Sequence, residues 1–199
     1  MLIKYNKIMM ILILCILSYL IGSIPTAYII GKLNNIDIRN YGSKNIGATN
    51  VYRILGKKWG SVTFIIDFLK GFIPTYLVMK YYSSPYIIIS VGGLTIIGHI
   101  FTLFLNFKGG KGVATSTGVF MVISPKTIII ALIVFITVVS IFRYVSLATL
   151  VATAVFLSTS IISNIEVEFK YMIGVVSVII YITHISNIKR LMKGEELKV

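Results

Sequence analysis

The sequence holds one cysteine, two histidines and six acidic residues in 199 positions. A lone Cys15 excludes an intrachain disulfide, and its place inside an apolar run argues against redox chemistry. With His99 and His184 as the only histidines, the sequence offers no metal-binding cluster, and no metal is expected. Charge is equally scarce: 13% of residues are charged and 57% hydrophobic, with a mean hydropathy of +0.94. No soluble globular surface can be assembled from that composition, so the chain is an integral membrane protein. The charge it does carry is one-sided, nineteen Lys and Arg giving a formal net charge of +13. In a soluble protein this excess suggests nucleic acid. Here it marks cytoplasmic loops, membrane phospholipid and anionic substrates, and no nucleic-acid partner is expected.

Apolar runs order the rest. The first, Ile8 to Ile30, follows Lys4 and Lys7 as a signal peptide would, but it outlasts an h-region of about 7 to 15 residues and reads as a retained transmembrane helix. Lys32 to Lys58 is a hydrophilic stretch with Lys32, Arg39, Lys44, Arg53, Lys57 and Lys58 against the single acid Asp37, which belongs in the cytoplasm. Helices are expected over Gly60 to Met79 and Pro85 to Leu105, joined by an outer turn at Lys80 to Ser84. Val113 to Ile123 is apolar but spans only about 16 Å, roughly half the hydrocarbon thickness. Pro125 ends it, and Thr127 to Phe142, Val145 to Ser163 and Phe169 to Ile185 follow. If the two pieces around Pro125 were one kinked crossing, the basic tail Lys189, Arg190, Lys193 and Lys198 would lie outside. A hairpin puts it inside with the other basic loops and leaves Glu166 and Glu168 outside. The expectation is therefore an all-α membrane protein of seven transmembrane helices, N-terminus outside and C-terminus cytoplasmic, forming a single domain over residues 1–199. Lys4 and Lys7 run against this orientation.

Three polar stretches share one face in that topology. Asn106 to Gly118 concentrates Gly109, Gly110 and Gly112 with Lys108 and Lys111 just before a helix start. Glycine amides and a helix N-terminus suit a phosphate. The spacing is not that of a Walker A loop. The competing reading is a flexible turn whose lysines touch headgroups. Tyr41 to Arg53 offers Ser43, Asn45, Thr49 and Asn50 as neutral hydrogen-bonding groups and Arg53 as a bidentate fork, or else is an ordinary turn-rich loop. His184, Asn187 and Arg190 recur at i, i+3 and i+6 and share one helix face. They either hold a small polar substrate or include no more than an interfacial histidine. Asp67 and Lys70, three apart within a span, are expected to pair, and His99 to hydrogen-bond inside the bundle. Arg143 is a further phosphate ligand or a headgroup anchor.

Four stretches carry a resemblance: G-S-I-P-T-A-Y from Gly22, G-S-K-N-I-G-A-T-N-V-Y-R from Gly42, F-K-G-G-K-G-V-A-T from Phe107 and H-I-S-N-I-K-R-L-M-K-G-E-E from His184. Together they resemble the bacterial acyl-phosphate:glycerol-3-phosphate acyltransferase family. The resemblance covers nearly the whole chain. It implies a multi-pass enzyme of the cell membrane, with its active site at the cytoplasmic face, that moves a fatty acyl group from acyl phosphate to the 1-hydroxyl of glycerol 3-phosphate. Its products are lysophosphatidic acid and phosphate, at the first acylation step of phospholipid synthesis. It implies no cofactor, and one partner candidate, the soluble enzyme that makes acyl phosphate. By resemblance Ser43, His184 and Asn187 are the catalytic residues. Asn45, Arg53, Lys108, Gly109, Gly110, Lys111, Gly112 and Arg143 bind substrate phosphate, and Thr49, Asn50 and Glu196 support them. Two departures from the family pattern stand out. Ile100 and Thr102 replace a polar residue and the proline of a Phe-Pro pair after Gly98-His99, which puts a local helix kink in question, and Lys44 stands where glycine is common.

Acyl phosphate is already a mixed anhydride, so no covalent serine or cysteine intermediate is required. Charge neutralisation, positioning and a proton acceptor are. His184 is one candidate acceptor. The resemblance favours the departing phosphate instead, with His184 holding glycerol 3-phosphate. An anion or phosphate transporter is the alternative from another class; the two halves of the chain show none of the internal repetition common in transporters.

Overall fold

A computed structural model describes the backbone of residues 2–199 and the side chains of residues 8–199. The side chains of Lys4 and Lys7, whose charges oppose the expected orientation, lie outside the described residues. The chain folds into helices α1 (Leu2–Ser23), α2 (Thr26–Leu33), α3 (Ala48–Tyr81), α4 (Pro85–Ile100), α5 (Val113–Ile123), α6 (Pro125–Phe142), α7 (Val145–Ile162), α8 (Val167–Thr183) and α9 (Ile185–Met192). Short 3-10 turns at Ile38–Asn40 and Leu103–Leu105 complete it, and there is no strand among the described residues. α3, α6, α7 and α4 with its 3-10 extension are each long and apolar enough to cross a membrane. α1–α2 and α8–α9 qualify as bent pairs, and α5 is a shorter apolar helix of 11 residues.

Helix breaks are the main departure from the sequence expectation, and each has a local cause. The first span is not one helix: α1 stops at Ser23, and α2 leaves at 41° after Pro25, which has no N–H to continue the ladder. Lys70 Nζ donates into this break, to Gly22 O at 3.3 Å and to Ile24 O at 2.8 Å, which also accepts from Thr26 N. The Lys32 to Lys58 stretch is not a loop throughout, because α3 begins at Ala48 and carries Arg53 on its first turns. Gly56, at φ 82° and ψ 178°, then redirects it, a left-handed conformation that favours glycine. Pro125 ends α5 as expected but also opens α6, where its missing donor costs nothing. α4 ends at Ile100 although the family's proline is absent. Thr102 takes φ −67° and ψ 126° instead, and its hydroxyl donates to Ser23 O.

Close approach at glycines holds the bundle together. A Cβ at Gly22 would lie 2.2 Å from Thr95 O, and one at Gly98 2.3 Å from Tyr19 O, so α1 and α4 touch backbone to backbone. Gly71 against Thr115 O (2.1 Å) and Gly118 against Phe68 O (2.0 Å) do the same for α3 and α5. Small residues are how helices associate where lipid removes the hydrophobic drive between them. α6 turns Ile129, Ile133 and Ile136 outward, a stripe suited to acyl chains. These packings bring the start of α3, the loop before α5 and the α8–α9 bend to one end of the bundle.

Candidate active site

At that end lies a cavity of about 140 Å³ with one wall from each of the three polar stretches. Ser43, Asn45, Thr49 and Arg53 line it from the first, Lys111 and Gly112 from the second, and His184, Asn187 and Glu196 from the third. The first wall is braced by Asn50, which is 1% exposed and has both ends of its amide hydrogen-bonded. Oδ1 accepts from Ser43 N at 2.9 Å, and Nδ2 donates to Ile38 O and Tyr41 O. Asn50 therefore shapes the turn that presents Ser43, with both amide protons already donated. Lys44 sits in that turn at φ 60°, a left-handed conformation that explains why glycine suits the position.

The glycine loop works differently from the sequence expectation. Gly109 N donates to Ile100 O at 2.9 Å and Gly110 N to His99 O at 3.1 Å, so these two amides cap the end of α4 and are not offered to an anion. The glycines serve close approach: a Cβ at Gly109 would meet His99 O at 2.0 Å, and one at Gly110 would meet His99 Nε2 at 2.3 Å. What faces the cavity is the residue after them, Lys111, followed by the start of α5. The first helical bond of α5 runs from Ser116 N to Gly112 O, which leaves earlier amides free, and Val113 and Ala114 line the cavity. Lys111 with the α5 N-terminus is thus the part of this wall whose charge and amides can attract an anion.

Lys111 Nζ donates to Asn187 Oδ1. Burial pulls the Lys111 pKa from 10.5 down to about 8, and the nearby Arg190 and Arg53 add to this while Glu196 opposes it. Glu196, 8% exposed, ties the third wall together. Its Oε1 accepts from Asn187 Nδ2 (2.7 Å) and Ser146 Oγ (3.0 Å), and its Oε2 from Arg190 Nε (2.8 Å). His184, Asn187 and Arg190 do not share one continuous helix face as expected. α8 and α9 meet at 54°, with His184 in the joint. The His184 ring is 3% exposed, and its Nδ1 faces Ile180 O at 2.8 Å. Only a protonated Nδ1 suits a carbonyl, so Nε2 carries the lone pair and is the ring's acceptor.

Two expected phosphate ligands stand apart. Lys108 is exposed and does not line the cavity. Arg143 caps α6, and its Nε donates to Val199 O at 2.6 Å, beside a lateral groove rather than in the cavity. Among the residues absent from the expected site, the polar ones that line it are Ser146, Thr149, Asp67 and His99. Asp67 and Lys70 form the expected ion pair at 2.8 Å, and His99 joins them, its Nδ1 3.4 Å from Lys70 Nζ. Polar residues this deep in apolar helices were the available signal. The sequence alone did not say that their cluster abuts the loop.

An apolar cavity of about 110 Å³ adjoins the polar one, sharing Phe64, Val113, Phe135 and Thr149 and ending at Phe120 and Phe156, whose rings are 5.0 Å apart. Phe64 and Phe135 also border a lateral groove of about 790 Å³ between α3 and α6. A polar chamber opening through two aromatic rings onto apolar space suits a substrate with an anionic head and an alkyl tail.

A family model described as glycerol-3-phosphate acyltransferase matches residues 12–194. The chain belongs to this family. Among its relatives, the glycerol-3-phosphate acyltransferase of Trichlorobacter lovleyi is 43% identical over 181 residues, covering 91% of this chain and 93% of that one. That of Aquifex aeolicus is 41% identical over 186 residues, covering 93% and 97%. The fold is similar to a crystal structure of PlsY, an integral membrane glycerol 3-phosphate acyltransferase, in its glycerol 3-phosphate form, with a TM-score of 0.91 and 40% identity over 95% of both chains. The lysophosphatidic acid form of PlsY is similar at a TM-score of 0.88 and 39% identity, over 94% of both chains. Membership in the acyltransferase family makes this chain a multi-pass membrane enzyme, and the expected family is the one found.

Proposed function

We propose that this acyltransferase uses acyl phosphate as donor and acylates the 1-hydroxyl of glycerol 3-phosphate, releasing lysophosphatidic acid and inorganic phosphate at the cytoplasmic face of the cell membrane. The observation that carries the reading is the junction of a polar chamber holding Arg53 and Lys111 with an apolar cavity across Phe64 and Phe135. Two phosphate-bearing substrates bring several negative charges together, and Arg53, Lys111 and the α5 N-terminus are available to balance them. The substrate 1-hydroxyl oxygen attacks the acyl carbonyl carbon, the bond from that carbon to the phosphate oxygen breaks, and phosphate leaves with the electron pair. The hydroxyl proton passes to the departing phosphate or to His184 Nε2, whose lone pair suits it for receiving or holding that proton. Ser43 Oγ and the free amides of α5 are placed to meet charge on the carbonyl oxygen.

The topology proposed with it has seven spans, counting each bent pair once and α5 as a short crossing, with the N-terminus outside and the C-terminus inside. It gains support from the meeting of all three basic polar stretches at one end of the bundle. A phosphate transporter draws no support from a chamber at one end of the bundle that opens sideways onto apolar space. The deciding experiment is incubation of the purified protein in liposomes with acyl phosphate and labelled glycerol 3-phosphate. Lysophosphatidic acid and phosphate are expected in equal amounts. Uptake of label without acylation, or full activity with acyl-CoA alone, overturns the reading.

A further inference from the structure

Both histidines lie at the chamber, and their ring partners give them opposite roles. His184 Nδ1 faces a carbonyl, whereas His99 Nδ1 faces Lys70 Nζ at 3.4 Å. That amine is itself surrounded by acceptors: Asp67 Oδ1 at 2.8 Å, Ile24 O at 2.8 Å and Gly22 O at 3.3 Å. An ammonium has three protons and no lone pair, so it only donates. Asp67 Oδ1 and Ile24 O are its near acceptors, Gly22 O and His99 Nδ1 share what remains, and the ring nitrogen beside it presents a lone pair rather than an N–H. The alternative puts a proton on Nδ1, which points a positive hydrogen at a cation and leaves Asp67 Oδ1, 3.8 Å away, too far to receive it. His99 is therefore neutral with its proton on Nε2. That nitrogen makes no hydrogen bond among the described residues, and it lies against Gly110, at the edge of the chamber wall that His99 helps to line.

We infer that His99 is a substrate-binding residue, its Nε2–H donating to an oxygen of the substrate phosphate or of the acyl group beside the glycine loop. Lys70 is the positioning residue that holds the tautomer. The inference rests on the acyl-phosphate reading above and extends it. It also gives a reason for burying an Asp–Lys–His cluster with side chains only 3%, 5% and 9% exposed, where apolar packing would serve stability as well.

With two histidines in the chain, 15N-labelled imidazoles are assignable from one variant, His99→Phe. In wild-type protein His99 should show a pyridine-type Nδ1 and a pyrrole-type Nε2, with Nε2 moving on addition of inorganic phosphate or a non-hydrolysable acyl phosphonate. A protonated Nδ1, or an Nε2 unmoved by both probes, overturns the inference without any variant having to fold. In kinetics, His99→Phe should lose about 10- to 100-fold in kcat/KM, the worth of one hydrogen bond to a charged group. His99→Gln, which restores an N–H near the Nε2 position, should recover most of it. Lys70→Met should cost activity in wild type but add nothing in the His99→Phe background. If wild type forms lysophosphatidic acid from acyl phosphate while His99→Phe matches it, the function stands and this inference falls.

Discussion

Lys111 and Asn187, 76 positions apart in sequence, meet side chain to side chain, the amine donating to the amide oxygen. Asn187 can hold that orientation because its Nδ2 is fixed on Glu196 Oε1 at 2.7 Å. The cation of the glycine loop is thus aimed by a carboxylate near the C-terminus, through an amide on α9. Glu196→Gln swaps one accepting oxygen for a donor and must break at least one of the contacts to Ser146, Asn187 and Arg190. Loss of a charged hydrogen bond of about 1.5 to 3 kcal/mol predicts a fall in kcat/KM of roughly 10- to 100-fold. Steady-state kinetics beside a thermal melt check this, and wild-type values in Glu196→Gln would show that the network aims nothing.

The second prediction is a pH limb. Lys111 titrates at about 8, below the ordinary 10.5, because burial disfavours its charge. It is an ammonium below that value and a neutral amine above it, so phosphate binding is strong on the acid side and fades as pH rises through about 8. Bound phosphate pulls the pKa back up, which makes the effect one on KM more than on kcat. The KM for glycerol 3-phosphate should climb between about pH 7 and 9 in wild type and stay flat in Lys111→Arg, whose guanidinium does not titrate there. Equal slopes in both would assign the limb to another group.

Glycine substitutions separate close packing from anion contact. Gly110→Ala sets a methyl carbon 2.3 Å from His99 Nε2 and 2.8 Å from Ile46 O, and no backbone freedom at that residue can relieve both. It should abolish most activity and lower the melting temperature together. Gly174→Ala, where an added Cβ meets nothing within 4 Å, should leave both unchanged. A Gly110→Ala protein with wild-type activity and melting temperature would show that this close approach is not needed.

Much of the fold was legible because run length and loop charge are enough to count apolar helices. α5 falls on Val113–Ile123 as expected. The breaks were not legible, since they depend on groups distant in sequence: Lys70 receives the carbonyls of Gly22 and Ile24, and Thr102 caps Ser23 without a proline. In the site, residues such as Ser43, Arg53, Lys111 and His184 stood out as polar groups in an apolar chain, and the structure brings them to one cavity. Ser146 gave no such signal among the many helix hydroxyls. That Gly109 and Gly110 spend their amides on α4 could be seen only once the end of α4 was placed beside them.

Orientation is open to a labelling test. In a Cys15-free background, single cysteines at the exposed positions Lys44 and Ser186, which border one pocket at the chamber end, should react from the cytoplasmic side. A cysteine at exposed Lys126, at the start of α6, should react from outside. Ser116 is 3% exposed and unsuited to labelling. Reaction of Ser186 from outside only, or of Lys44 and Lys126 from the same side, contradicts seven spans.

The last prediction sorts the cations. Arg53, Lys108, Lys111 and Arg143 are all basic residues in or beside the motifs, but only Arg53 and Lys111 line the chamber. Arg53 now spends its donors on the chain itself, Nη2 on Leu197 O at 2.7 Å and Nε on Lys198 O at 3.4 Å, both backbone carbonyls that a phosphate oxygen can outbid because it is charged. Arg53→Ala should therefore cost at least about 10-fold in kcat/KM. Arg53→Lys should recover little of it, since an ammonium cannot reproduce the fork. Lys108→Ala removes an exposed charge away from the chamber and should change kinetics by less than about twofold at physiological ionic strength, where such charges are screened. Arg143→Ala removes the side-chain bond to Val199 O, keeps the backbone bond from Val199 N to the carbonyl at 143, and widens the lateral groove without touching the chamber, so it should act on the acyl substrate alone and leave the KM for glycerol 3-phosphate in place. Measuring KM for each substrate across the four alanine variants decides the matter: if Lys108→Ala or Arg143→Ala weakens glycerol 3-phosphate as much as Lys111→Ala does, the phosphate site extends beyond the cavity.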